Sequence, residues 1–155
     1  MTGKVENRLQ ELGISLPEPV APVANYVPFR ISGNQLVISG QVPIEDGKPK
    51  YLGVLGTDGM DLDSGQAAAR LCAVNILSQA KGALGDLDRV TACLRLGVFV
   101  AATPDFTQHP QVANAASDLM VEAFGEAGRH ARAAVGMASL PLGVPVEVEA
   151  LFEIA

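Results

Sequence analysis

The chain has 155 residues, 48% hydrophobic and 18% charged, which suffices for one domain with a real core, is short for two, and excludes a disordered chain. Its net charge of -6 and its scattered seven Arg and four Lys argue against a nucleic-acid partner, because a phosphate backbone demands clustered positive charge. No apolar run approaches the ~20 residues of a membrane helix. The start MTGKVENRLQELG lacks the apolar centre and cleavage site of a signal peptide, so a soluble cytoplasmic protein is expected.

In chain order, Val5, Leu9 and Leu12 at i, i+4, i+7 predict a short amphipathic helix over 4–12 that ends at Gly13. Pro17, Pro19, Pro22 and Pro28 then enforce an extended passage. Residues 1–25 thus read as an N-terminal extension packed on a domain of residues 26–155. Two apolar runs, 26–31 and 35–39, joined by Ser32, Gly33 and Asn34, predict a hairpin. The polar loop IEDGKPKYLG follows, with a short third strand expected at 51–55.

Asp61 or Ser64 is positioned to cap a long helix whose Ala69, Ala73, Leu77, Ala80 and Leu84 share a face, with Gly85 as its stop. Residues 90–100, rich in Val, Leu and Phe, predict a long strand. A second helix is expected over 110–124, with Val112, Ala115 or Ala116, Leu119, Val121 and Ala123 as its apolar stripe and Gly125 and Gly128 ending it. A strand at 131–138, a turn at 140–143 and a last strand at 146–154 complete the chain. The order ββ(β)αβαββ predicts an α+β domain, one mixed sheet with two main helices on one face. The other face needs a cover, and plentiful Gly and Ala with sparse charge point to subunit association.

Cys72 and Cys93 lie in apolar segments without CxxC spacing and read as buried free thiols. His109 and His130 lack partners at metal-ligand spacing, and Asp58, Asp61 and Asp63 lack the spacing of a calcium loop. No nucleophile elbow, phosphate loop or dinucleotide fingerprint occurs, so neither metal nor cofactor is expected.

Arg132 stands out, a fixed charge inside ARAAVGMA with Ala134, Gly136 and Ala138 on its own strand face. Small neighbours leave room beside a guanidinium whose planar fork suits a carboxylate. That carboxylate belongs either to a ligand or to Glu147 or Glu149 on a neighbouring hairpin strand. Glu149 reads as a solvated or paired strand residue, or as a base that holds a water. Ser39 and Gly40 end an apolar strand where a hydroxyl and backbone amides can face a ligand, and Tyr26 is a packing residue or a cavity wall.

The stretches VISGQVP and ARAAVGMASLPLGVPVEVEA resemble the reactive intermediate deaminase family, also called YjgF-type and formerly labelled L-PSP endoribonucleases. The resemblance covers roughly residues 26–154 and implies a chorismate-mutase-like fold and a homotrimer with inter-subunit clefts. It also implies hydrolysis of 2-aminoacrylate and related enamines or imines to a 2-keto acid and ammonia, without cofactor. By this resemblance Arg132 binds the substrate carboxylate, Glu149 positions a water, and Ser39, Gly40 and Tyr26 line the cleft. Where the family carries a cysteine this chain has Ala134, and the family's helix asparagine corresponds to Asp118 or Asn114. The alternative from a different class is a trimeric protein that binds a small carboxylate or metabolite without turnover.

Overall fold

A computed structural model describes residues 3–22 and 24–155. Met1, Thr2 and Val23, part of the expected extension, lie outside the described residues. The first helix, α1 (Lys4–Glu11), buries Leu9 and is followed by Gly13 with φ of 75°. Its first amides have no partner within the helix, and Asp88 supplies one: the Lys4 and Val5 N–H groups donate to its carboxylate at 2.8 and 2.9 Å. Those two bonds hold the Asp88 carboxyl below the usual range.

The expected hairpin forms from β1 (Phe29–Ser32) and β2 (Gln35–Gln41) around Gly33. The expected third strand at 51–55 does not form. Within IEDGKPK a smaller hairpin, β3 (Ile44–Glu45) and β4 (Lys48–Pro49), closes through Asp46 and Gly47, with φ of 53° and 79°. An Asp-Gly pair favours that turn because both central residues must take positive φ. Of the 51–55 segment, only Leu55 makes a bridge, parallel to Ala102.

Asp61 caps α2 (Leu62–Leu84) by accepting from the Ser64 amide at 2.8 Å, and Gly85 closes it in the left-handed conformation. The second long helix is α3 (His109–Phe124), whose buried stripe is Val112, Ala113, Ala116, Leu119, Met120 and Ala123. Val121, expected on that stripe, is 41% exposed, because a step of three to four residues from Ala116 falls on Leu119 and Met120.

The remaining strands are β5 (Val90–Ala101), β6 (Ala131–Met137) and β7 (Val146–Ile154). The sheet runs β1-β2-β7-β5-β6, with β6 parallel to β5 and the other pairings antiparallel. This corrects the expectation that β6 and β7 pair as a hairpin. The α3 crossover brings β6 back parallel to β5 on its outer side, and the turn at Pro141–Gly143 then carries the chain across β5.

Alternation in β7 is as the sequence implies. Val146, Val148, Ala150, Phe152 and Ile154 are buried against the helices, and the residues between them are half-buried on the opposite face. Each large side chain fully buried here, such as Phe152, Leu96 or Leu77, contributes roughly 1.5–3 kcal/mol. Three polar residues of α2 are buried with this core and tie down backbone. Asn75 donates to the Val42 and Ile44 carbonyls, Ser78 to that of Pro17 at 2.5 Å, and Gln79 to that of Val20 at 2.7 Å.

Candidate functional site

Register places two groups of site residues. Between β2 and β7 the pairing steps from Ile38 opposite Ala150 to Gln41 opposite Val148, so three steps along β2 match two along β7. This bulge falls on Ser39 and Gly40 and re-aims them, as bulges do. The two line a cavity of about 240 Å³ with Tyr26, Glu147, Pro141 and Leu142. Ser39 is held in place at both ends: its amide donates to the Pro28 carbonyl and its hydroxyl to that of Val27 at 2.8 Å. A Cβ at Gly40 would overlap the Glu147 carboxylate, so the missing side chain lets that carboxylate lie against the bulge.

Glu147 makes no hydrogen bond or ion pair among the described residues. Burial pushes its carboxyl above the ordinary value, and the neighbouring charge of Glu149 adds to the rise. An unpartnered, half-buried carboxylate in a cavity is a proton-transfer candidate.

Arg132 belongs to the second group. It pairs in register with Leu96, and so lies on the helix-covered face of the edge strand β6. Its Nη1 donates to Asn114 Oδ1 at 2.9 Å and to Ser117 Oγ at 3.0 Å. Both acceptors are neutral, and no carboxylate pairs with Arg132 among the described residues. Ser117 in turn lies 2.8 Å from His130 Nε2, and His130 Nδ1 lies 2.7 Å from the Gly128 carbonyl. Because that carbonyl only accepts, the neutral ring carries its proton on Nδ1, and Nε2 receives the Ser117 hydroxyl proton. Ser117 therefore offers its oxygen to Arg132, and the chain Arg132, Ser117, His130, Gly128 has one consistent polarity. Ala134 follows Arg132 on the same face and packs against the core.

The structure thus brings Tyr26, Ser39 and Gly40 together and sets Arg132 with Ala134 apart from them. Glu149 joins neither group. It sits opposite Gly97 on the face away from the helices and pairs with Arg95 at 3.2 Å, which corrects the expected alternative of a pair with Arg132. Two strand steps and the thickness of the sheet separate it from Arg132. Asp118 is exposed one turn beyond Asn114 and makes no hydrogen bond or ion pair among the described residues, so of the two it is Asn114 that meets Arg132, together with Ser117 of the same helix. Glu147, Ser117 and His130 escape sequence reasoning as site residues. Glu147 and Glu149 share a strand face, and only their cross-strand neighbours distinguish them.

The two thiols take no part. Burial pushes Cys93 up to about 12 and raises Cys72 well above its ordinary value, so neither forms a thiolate near neutrality. Among the described residues, no helix is long and apolar enough to cross a membrane.

The family model described as YjgF/chorismate mutase-like, with the label endoribonuclease, matches residues 6–153. Protein TCP17 of Trypanosoma cruzi is 51% identical over 154 residues, which cover 99% of this chain and 96% of that protein. A crystal structure of a protein with unknown function from Agrobacterium tumefaciens is 52% identical, covers 97% of this chain and 92% of its own, and superposes with a TM-score of 0.91. RidA from an Antarctic Psychrobacter is 26% identical, with 91% and 97% of the two chains covered and a TM-score of 0.60. The sheet order, the helix layer and these matches agree: the chain belongs to the YjgF/chorismate mutase-like family.

Proposed function

We propose that the protein is an enamine/imine deaminase that hydrolyses reactive amino-acid-derived intermediates of the 2-aminoacrylate type to a 2-keto acid and ammonia, in clefts between the subunits of a homotrimer. One observation carries this reading. Arg132 and Glu147 are an unneutralised cation and an unpartnered carboxylate on opposite faces of one sheet. Within a chain neither completes the other. A substrate therefore spans Arg132 of one subunit and the partner subunit's Glu147.

The chemistry asks little of the protein. The enamine tautomerises to an imine whose carbon is already electrophilic, and Arg132 fixes the adjacent carboxylate through charge-assisted hydrogen bonds. Water adds to that carbon, forming the C–O bond, while Glu147 takes its proton. That proton passes to nitrogen to give the carbinolamine; Glu147 then takes the carbinol hydroxyl proton and hands it to nitrogen as the C=O bond forms and the C–N bond breaks, and ammonia leaves behind a 2-keto acid. A carboxyl with a raised pKa suits both directions of this transfer. In this reading Glu147 fills the role that the resemblance assigned to Glu149.

The test is hydrolysis of 2-aminoacrylate, generated in situ by a dehydratase. Wild type should accelerate keto acid release, and Arg132→Ala should lose on the order of a hundredfold or more in kcat/KM. Unaltered release in that variant would overturn the reading. No acceleration by folded wild type, with Arg132-dependent carboxylate binding retained, would transfer the assignment to a binding protein.

A further inference from the structure

We infer that the cavity beside Glu147 is a side-chain subsite walled by the N-terminal extension, and that the protein prefers imines of bulky apolar amino acids over 2-aminoacrylate; this rests on the deaminase reading. The cavity of about 240 Å³ lies within one chain. Its apolar walls come from three separate segments: Val20 and Pro22 of the extension, Val42 and Ile44 after the bulge, and Leu142 of the last turn. Its one ionisable lining group besides Tyr26 is Glu147. A volume of this size far exceeds what the terminal methylene of 2-aminoacrylate fills, and it matches an aliphatic or aromatic side chain.

Charge fixes the orientation of the occupant. A carboxylate group placed in this cavity would meet Glu147 in an apolar surround, which is unfavourable. The apolar end therefore enters, the imine carbon stays at the mouth beside Ser39 and Glu147, and the substrate carboxylate points out toward the arginine.

The wall is built into the core. Gln79, 1% exposed on α2, donates to the Val20 carbonyl at 2.7 Å, and its amide also reaches Gln41 Oε1 at 3.5 Å. Gln41 passes the link to the Ser39 carbonyl at 2.9 Å. One buried amide thus holds both the extension wall and the bulge in position. Ser78, one residue earlier on α2, fastens Pro17, and Gly82 leaves room for Pro19 to lie on the helix. Preorganised walls of this kind separate substrates by size, since one methylene in an apolar site changes kcat/KM by about tenfold or more.

The experiment compares two substrates, 2-aminoacrylate and the imine of leucine made in situ by an amino-acid oxidase, on wild type, Val20→Phe and Val42→Phe. The expected result is a higher kcat/KM for the leucine imine on wild type. Either phenylalanine should cut the ratio of the two values by about tenfold. Val42→Phe leaves the extension untouched, so it decides the matter if Val20→Phe undocks that segment. Turnover of both substrates with a ratio near one on wild type, or one unchanged in Val42→Phe, overturns the subsite. If neither substrate is turned over, the deaminase reading fails and calorimetry decides the subsite separately. Tighter binding of the 2-keto acid of leucine than of pyruvate, lost in Val42→Phe, then supports it, and equal binding overturns it.

Discussion

Glu147 and Glu149 stand two residues apart on the same face of β7, yet among the described residues only Glu149 is paired, to Arg95 at 3.2 Å, while Glu147 faces the cavity below the Ser39–Gly40 bulge. Gly97 makes the difference for Glu149, because its missing side chain leaves room for that carboxylate over β5. One carboxylate is thereby paired, and the other faces the cavity unpaired among the described residues.

Activity should follow that division. Glu147→Gln is expected to lower kcat for imine hydrolysis on the order of a hundredfold or more, whereas Glu149→Gln should stay within a few-fold of wild type. Steady-state keto acid release on the two variants checks this. An equal loss in both would place Glu149 in the chemistry after all.

The same carboxylate should leave a mark on stability. Its folded pKa lies above its unfolded value, so its contribution is fully present below the unfolded carboxylate value, about 4.3, and is lost as pH rises through the folded value. At neutral pH Glu147→Gln should therefore melt higher than wild type, and the difference should shrink as pH falls to about 4. Melting curves across that window read the sign directly.

The polarity of the Arg132 network predicts a graded set of losses. Ser117→Ala and Asn114→Ala each remove one hydrogen bond that aims the guanidinium, and should weaken small-carboxylate binding roughly threefold to tenfold. His130→Ala acts through Ser117 and should shift binding less than Ser117→Ala does. Calorimetric titration with pyruvate measures all three; affinity unchanged throughout would mean that the network only packs.

Asp88 should be the acid-sensitive tether of the extension. Asp88→Ala removes the acceptor for both free amides of α1 and should cost about 1 kcal/mol. Its folded pKa is depressed, so the stabilisation is present above the unfolded value and lost as pH falls through the folded one, below about 4. Proteolytic nicking between α1 and Pro22 should rise in the variant at neutral pH and in wild type only under acid.

Gly40→Ala tests the close approach at the bulge. The new methyl overlaps the Glu147 carboxylate, the free end of a flexible side chain, so the carboxylate moves aside at little cost to stability and loses its place beside the bulge. Loss of activity with an intact circular-dichroism spectrum is the expected outcome.

Much of this fold was readable from local pattern. The helices announced themselves by Asp61, Gly85 and their apolar spacing, and β7 by strict alternation, because these features depend on residues a few positions apart. The Asp46-Gly47 turn carried an equally local signal, and it outweighs the apolar run at 51–55. Arg132, Ser39, Gly40 and Tyr26 were recognisable as site candidates from residue type and context. Val121 went astray because its neighbour Met120 fits the same stripe better.

By itself the sequence determined the long helices and the five main strands, the helix-covered face of β7 and the presence of an arginine among small residues, since each follows from short-range periodicity and side-chain size. Tertiary structure alone decided the rest. Inserting β7 between β2 and β5 parted Arg132 from both glutamates, the bulge set the Ser39–Gly40 cavity against Glu147 and not Glu149, and buried Gln79 joined the extension to that cavity. Those outcomes depend on pairing between segments distant in sequence, where one residue of register or one strand of order changes which side chains meet.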